Sequence, residues 1–421
     1  MINWRYALLA ALGCAPLLVQ ATAAQQPAAT EPPAATPAPA AQAPAVPAPA
    51  APAAPAGAPA AAPAVPTPAA PAAAPAVPTP AATTPAVTTP AVTTPAAAAP
   101  PAAAVPSEVS AAPFNVHRPE IAQWIEEVVT HDGWSRKSVV ALLAKAQPQP
   151  KVLETMGRPL ERVAPWWEYR ERFMTPERIE KGVQLWLDHR LALEQIAAKY
   201  QVPPEYLVAI VGVETFYGRA TCRYRVLDAL ATLAFDYPPR ASYFRGELEQ
   251  FLLLTRENRL DPLTTCGSYA GAMGVPQFMP SVYRRYAVDA DSDKKRDLWG
   301  DWDDILASVA NYLHESGWKP GAPVLAETTL DPDPSFEIAP HNLDLNDTVG
   351  SLGAHGIKVD LEVPPDTPAV LISAEQRDGP AYRVGFHNFY VITRYNHSAR
   401  YAMTVYDLAT AVAARVHGTQ P

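Results

Sequence analysis

The stretch from Ala24 to about Pro113 limits what this chain can fold into more than any other feature. It consists of Ala, Pro, Thr and Val with almost no charge, carries "AVPTPAA" twice, and includes "VTTPAVTTPA". Proline fixes φ and has no backbone N–H, so neither a helix nor a central strand runs through such a tract. The side chains are too small to bury the surface that folding requires. The tract therefore reads as a disordered tether, with dense proline favouring extended polyproline II at about 3.1 Å per residue. A spacer with no reach requirement fits the same composition. Of 421 residues with 49 prolines, about 300 remain to build a core.

Ahead of the tether, "MINWRYALLAALGCAPLLVQATAAQQ" has a short n-region with Arg5, an apolar stretch to about Val19, and Ala21 and Ala23 spaced as a cleavage site. Residues 1–23 read as an export signal, which puts the mature chain in a periplasm. A competing reading makes Cys14 a lipid-bearing cysteine and the protein an outer-membrane lipoprotein. Ala11 argues against it, standing where such signals carry a bulkier aliphatic residue. The apolar stretch is short for a transmembrane helix and is broken by Pro16.

Export makes the cysteines informative. With Cys14 in the signal, Cys222 and Cys266 remain as a pair in an oxidising compartment and are expected to form a disulfide, two free buried thiols being the alternative. The net charge of −9 offers no basic stripe to neutralise phosphates, so nucleic acid is excluded as a partner.

From Phe114 the composition turns charged and aromatic. Ile121, Trp124, Ile125 and Val128 recur at helical spacing, Ser135 stands as an N-cap, and Thr175 followed by Pro176 and Glu177 marks another helix start. Further helical patterns cover "SYFRGELEQFLLLTREN", "VYRRYA" and "DDILASVANYLHESG". After Pro320 the texture changes: "APVLAETTL", "PAVLISAEQ" and "AYRVGFHNFYVITRYN" contain alternation and β-branched runs, before a final helix in "RYAMTVYDLATAVAARV". The expected architecture is α+β and predominantly helical, a single region over 114–421 with a β-containing segment at about 320–395.

Within "LVAIVGVETFYG", Glu214 ends an almost unbroken apolar run. Leu207, Ile210, Val211 and Glu214 fall on one helical stripe, which turns the carboxyl inward. Burial raises a carboxyl pKa, as a proton donor near neutral pH requires. A buried ion pair with Arg219 or Arg223 is the structural alternative. Further along, "GSYAGAMGVPQFMPSVYRRYA" combines small residues Gly271, Ala272 and Gly274, which allow close approach, with Ser268 and Gln277 as neutral hydrogen-bonding groups suited to sugars.

In order and at comparable spacing, "VGVETFYG", "YAGAMGVPQFMPSVY", "SVANYL" and "FYVITRYNHSARYAM" resemble the lytic murein transglycosylase B family. The resemblance runs from about Phe114 to the C-terminus and implies a lysozyme-like catalytic domain. It also implies cleavage of the β-1,4 bond between N-acetylmuramic acid and N-acetylglucosamine in peptidoglycan, leaving 1,6-anhydro ends. Carried over residue by residue, Glu214 is the single catalytic acid and base. Ser268, Gln277, Tyr312 and Asn396 match positions near the reaction centre, and Tyr395 and Tyr401 match cleft aromatics. Core packing is the alternative for the three tyrosines, and capping of the helix near Ser398 is the alternative for Asn396. The implied partners are glycan strands, with wall-synthesis or division proteins left unidentified and a membrane only through Cys14. No cofactor is needed for the chemistry.

"DADSDKKRDLWGDWD" places Asp289, Asp291 and Asp293 like the first ligands of a calcium loop, Lys295 could add its carbonyl, and Asp303 matches a family ligand. Lys294 stands where such loops want glycine, and an acidic loop neutralised by Lys294, Lys295 and Arg296 is the alternative to a structural calcium. Two further functions compete: a lysozyme-like hydrolase, which would need a second acid, and a catalytically silent wall-binding scaffold, which would not need Glu214.

Overall fold

The computed structural model describes residues 114–157, 164–336 and 343–418; the export signal, the tether and Cys14 lie outside them. Helix starts and stops follow cap chemistry. Helix α1 (Pro119–Asp132) buries Ile121, Trp124, Ile125 and Val128 and ends where Gly133 adopts φ 65°. Helix α2 (Arg136–Leu143) starts at Ser135, whose side chain accepts from the Ser138 amide. Helices α3 (Pro150–Gly157) and α4 (Trp166–Glu171) lead to α5 (Pro176–Asp188), capped by Thr175 with Pro176 in its first turn. Then come α6 (Arg190–Tyr200) and α7 (Pro204–Thr215).

Helix α7 departs from the expected single inward stripe. Every residue from Leu207 to Val213 is buried, because α5, α6 and α7 are joined by two further helices introduced below, leaving α7 no solvent face. A helix apolar on all sides belongs at the centre of a core. Beyond it, strand β1 (Tyr224–Arg225), α8 (Val226–Asp236), α9 (Ala241–Glu257) and β2 (Cys266–Gly267) form a closed unit, since β2 returns to pair antiparallel with β1. The Cys222–Cys266 disulfide fastens that return. Helices α10 (Pro280–Tyr286) and α11 (Trp302–Glu315) complete the first helical part, with α11 against α6 and α7.

Strands β3 (Leu325–Leu330), β4 (Asp347–Thr348), β5 (Ile357–Val359), β6 (Pro368–Ser373) and β7 (Tyr382–Gly385) form an antiparallel sheet in the order β4-β6-β7-β3-β5, with α12 (Val349–Ala354) between β4 and β5. Leu371 opposes Val384, which opposes Ala326 on the other side. The sheet is covered on both faces. Val370 and Ile372 join the main helical core, while Ala369 and Leu371 join a smaller cluster with Leu352 of α12 and Ile357. That two-sided burial explains why "AVLI" reads as a continuous apolar run.

Strand pairing stops at Gly385. The residues His387–Tyr395, β-like in sequence, form helix α13, whose buried Asn388, Phe389, Val391 and Ile392 recur at helical spacing. The short β-branched run masked a 3.6-residue period. The closing helix α14 (Ala399–Val416) is capped by Ser398, which accepts from the Tyr401 amide, so Asn396 is not the cap. Helix α14 packs against α7 and α5. Its buried Asp407 accepts from Arg383 of β7 at 2.9 Å and Arg170 of α4 at 2.5 Å, tying sheet, α4 and α14 at one carboxylate. Among the described residues no helix is long and apolar enough to cross a membrane. The architecture is α+β, predominantly helical and lysozyme-like.

The disulfide closes a loop with a sequence separation of 44. On the chain-entropy model this stabilises by about 4 kcal/mol. A Cys222→Ser/Cys266→Ser variant is expected to melt roughly 10 °C lower by calorimetry; an unchanged melting temperature would show that the bond constrains nothing the core does not already hold.

Candidate active site

Glu214 occupies the last turn of α7, and from Leu207 to Thr215 it alone is half-buried rather than buried. It carries its carboxyl at the rim of the core. Burial pushes that carboxyl up from 4.5 to about 8, against a smaller downward pull from the Tyr401 hydroxyl. Tyr401 is itself fully buried in α14 and donates to Glu214 Oε1 at 2.8 Å. Neither arginine proposed as a structural partner is paired with it. Arg219 pairs instead with Glu177 at 2.8 Å, and Glu214 has no ion pair among the described residues.

Past Glu214 the backbone turns left-handed at Phe216, Tyr217 and Gly218, with φ 53°, 58° and 82°. Two of these are not glycine, at a cost of order 1–2 kcal/mol each. Thr215 holds the turn: its hydroxyl accepts from the Gly218 amide and donates to the Val275 carbonyl at 3.0 Å. The loop so reached is a tight one, with Met273 and Phe278 exchanging backbone hydrogen bonds. Gly274, at φ 70°, has no room for a Cβ, which would lie 2.5 Å from the Leu298 carbonyl oxygen. The small residues of this loop thus admit neighbouring protein.

The loop uses the two polar residues expected to meet sugar. Ser268 Oγ accepts from the Ala270 and Ala272 amides at 3.2 and 3.0 Å. Gln277, itself left-handed at φ 54°, donates its side-chain amide to the Gly274 carbonyl at 2.8 Å. Tyr395 donates to the Pro276 carbonyl at 2.6 Å and stacks on Tyr401 with ring centroids 6.3 Å apart. Tyr312 meets Tyr395 edge-on at 4.9 Å and donates to the Arg394 carbonyl at 2.6 Å. Ser268, Gln277, Tyr312, Tyr395 and Tyr401 are therefore joined to Glu214 through one loop and one aromatic cluster. Asn396 follows Tyr395 and is buried.

Tyr169 of α4 was not among the expected residues. Burial pushes its hydroxyl up to about 12, and it lies close enough to feel the charges of Arg400 and Glu214. The cluster "PWWEYRERF" was the available signal, but it carries no periodicity that would single out one aromatic.

Away from this site, Asp289, Asp291 and Asp293 each offer a carboxylate oxygen within 4.8 Å of the others. Lys294 adopts φ 71°, the conformation a calcium loop asks of glycine, and its amide donates to Asp289. These three carboxylates fit a hard cation. Lys295 lies with its ammonium 3.9 Å from Asp293. Asp303 does not belong to this triad; it sits in the first turn of α11, its amide held by the capping Asp301. Asp304, unnoticed in sequence, fastens the loop by accepting from the Ala290 and Asp297 amides at 2.6 and 2.7 Å.

A carboxyl whose pKa burial raises thus stands at the end of a core helix, beside a phenol and an aromatic cluster, on a lysozyme-like scaffold. Residues 117–410 match the model of the transglycosylase SLT domain, and the chain belongs to that family. It is 41% identical over 306 residues to the membrane-bound lytic murein transglycosylase B of Escherichia coli strain K12, covering 70% of this chain and 83% of that one. Among solved structures, catenated lytic transglycosylase SltB1 from Pseudomonas aeruginosa superposes with a TM-score of 0.69 at 43% identity, covering 71% of this chain and 98% of its own. Escherichia coli lytic transglycosylase Slt35 in complex with calcium gives 0.66 at 40%, covering 72% and 95%.

A carboxyl held near 8 in the folded state and 4.5 in the unfolded one makes the fold bind more protons than the unfolded chain between those values. Stability attached to this group is therefore highest below pH 4.5 and falls as pH rises through 8. Glu214→Gln removes that slope. Its melting temperature should exceed the parent's by several degrees at alkaline pH and match it at about pH 4; a constant difference across pH would contradict the buried proton.

Proposed function

We propose that this chain is a lytic transglycosylase acting on peptidoglycan, with Glu214 as its only acid and base. The observation that carries this reading is the isolation of one protonated carboxyl. Burial and the Tyr401 hydroxyl account for its shifted pKa, with no second carboxylate contributing. Glycosidases that use water or a covalent intermediate need two acids, about 5–5.5 Å apart when retaining and about 6.5–9.5 Å apart when inverting. One acid suffices when the sugar supplies its own nucleophile.

In the proposed reaction Glu214 gives its proton to the oxygen linking muramic C1 to the neighbouring glucosamine. The C1–O bond breaks, and the glucosamine leaves with a free 4-hydroxyl. The muramic C6 hydroxyl attacks C1 from within the same ring, and Glu214, now a carboxylate, takes the proton from that oxygen. The C1–O6 bond closes a 1,6-anhydro ring and Glu214 returns to its starting state, with no water consumed. The Tyr401 hydroxyl fixes Oε1 throughout and steadies the charge that Glu214 carries between the two transfers.

Ser268, Gln277, Tyr312, Tyr395 and Asn396 are assigned to substrate binding, the first two by shaping the loop over the reaction centre. Asp289, Asp291 and Asp293, with the Lys295 carbonyl and Asp303, would hold a calcium that stiffens the approach to α11 and takes no part in the chemistry. The catalytic region is assigned to 114–421, with 1–23 exporting it to the periplasm and 24–113 tethering it, through Cys14 if that residue is lipidated.

Digestion of intact peptidoglycan by residues 114–421 is expected to release fragments with anhydro-muramic ends, one water lighter than reducing ends by mass spectrometry. Glu214→Gln should release none. Reducing ends would mean hydrolysis, and Glu214-independent release would refute the assignment. Activity should fall with an alkaline limb near pH 8, as the acid loses its proton. Tyr401→Phe removes a hydrogen bond that lowers the Glu214 pKa, so the limb should move upward while the rate falls about tenfold.

A further inference from the structure

Three helices close on one side chain just past the acid. The Tyr217 amide donates to the Val211 carbonyl at 3.2 Å, ending α7, and the ring then enters a slot walled by two glycines. A Cβ on Gly212 of α7 would lie 2.6 Å from the Tyr217 hydroxyl oxygen and 2.7 and 2.8 Å from the ring atoms Cζ and Cε1. A Cβ on Gly182 of α5 would lie 2.5 Å from the same oxygen and 2.8 Å from Cγ2 of Val412 in α14. Gly182, Gly212 and Val412 are all buried. The tip of the phenol therefore sits where α5, α7 and α14 pack on one another.

Hydrogen bonding does not account for that tip. The Tyr217 hydroxyl is buried and has no partner among the described residues; burial pushes its pKa up, against the charge of Arg178. An unpaired buried hydroxyl costs stability that a phenylalanine would not lose. The left-handed backbone that delivers the ring, at Phe216 and Tyr217, adds strain. What the oxygen does supply is length. It extends the ring by one atom, up to the backbones of α5 and α7 beside α14, and a close-packed interior passes a change of one atom to the elements around it. Helices α7 and α14 also carry the acid pair: Glu214 lies two residues beyond Gly212, and Tyr401 donates to it from α14 at 2.8 Å. That bond depends on how far apart the two helices are held.

We propose that Tyr217 is a positioning residue for the reaction, its phenol oxygen acting as the spacer that sets α7 against α14 and with it the Glu214–Tyr401 hydrogen bond. Gly182 and Gly212 are the seat of that spacer. The inference rests on Glu214 being the acid, and it adds that the acid is aimed from inside the core. Opposite errors at the slot should then cancel. Tyr217→Phe leaves a gap beside Gly182, Gly182→Ala overfills the slot with a methyl next to the oxygen, and the two together refill it.

Kinetics on peptidoglycan strands, with calorimetric melting of the same proteins, decide it. Tyr217→Phe should melt no lower than the parent, having lost only an unpaired hydroxyl, yet lose about tenfold in kcat with KM unchanged. Gly182→Ala should lose a similar factor, and Gly182→Ala/Tyr217→Phe should regain most of it. Gly212→Ala should gain nothing from Tyr217→Phe, because ring carbons at 2.7 and 2.8 Å still block its methyl. Added to Tyr401→Phe, Tyr217→Phe should cost nothing further, since both act on one bond. Parental kcat in Tyr217→Phe, a loss that adds to that of Tyr401→Phe, a folded Gly182→Ala/Tyr217→Phe protein without recovery, or equal rescue of Gly212→Ala would each overturn the proposal. NMR titration of the Glu214 carboxyl judges the spacing without turnover. The Tyr401 bond holds the Glu214 pKa down, so Tyr217→Phe should move the carboxyl upward as Tyr401→Phe does. The other groups facing the pair, Tyr169 and Tyr395 with Arg400 and Arg172 beyond Tyr169, are common to both variants. A titration unmoved in Tyr217→Phe would overturn the proposal. Failure of the parent to cut peptidoglycan would count against the proposed function, while the titration would still judge Tyr217.

Discussion

The removal of one carboxyl from water governs this molecule. Glu214 stands at the end of a helix whose preceding turns are buried on every side, and the energy that keeps it there comes from its neighbours. Leu207, Val208, Ile210, Val211 and Val213 are each at most 2% exposed, and burying an aliphatic side chain of that size stabilises by about 1.5–3 kcal/mol. Summed along α7, that gain exceeds the cost of a single neutral acid held out of solvent. An ionised carboxylate in the same position would cost far more, so the fold selects the protonated form.

Everything around the acid fixes its direction. Thr215 ties the end of α7 to the Val275 carbonyl, and Tyr395 ties the same loop to α13 through the Pro276 carbonyl. Helix α14 brings Tyr401 to Glu214 and is itself held by Asp407, which joins Arg383 of the sheet to Arg170 of α4. The sheet therefore has a mechanical part in the site although none of its strands touches Glu214. Left-handed backbone at Phe216, Tyr217 and Gln277 concentrates strain on the two segments that flank Glu214 and its supporting loop.

Much of this was legible in the sequence, for local reasons. Ser135, Thr175 and Pro176 marked helix starts because capping is a matter of a few adjacent residues. Glu214 stood out because a carboxylate at the end of "LVAIVGV" has few structural excuses, and the paired cysteines followed from compartment and number. What escaped was non-local. "HNFYVITRY" looked β-like because a short branched run does not separate two periods. The capping alternative for Asn396 falls to Ser398, two residues on. Tyr169 comes beside Arg400 and Glu214 only after α4, α7 and α14 have packed.

The most direct test of this account is the ionisation of Glu214 itself. Glutamate labelled at the side-chain carboxyl carbon can be followed by NMR from pH 3 to 10 in the parent protein, with Glu214→Gln identifying the resonance that disappears. The account predicts one carboxyl titrating near pH 8, far above its exposed counterparts. A Glu214 resonance titrating at the ordinary value near 4.5 would mean that the carboxyl is ionised at neutral pH, and the acid described here would not exist.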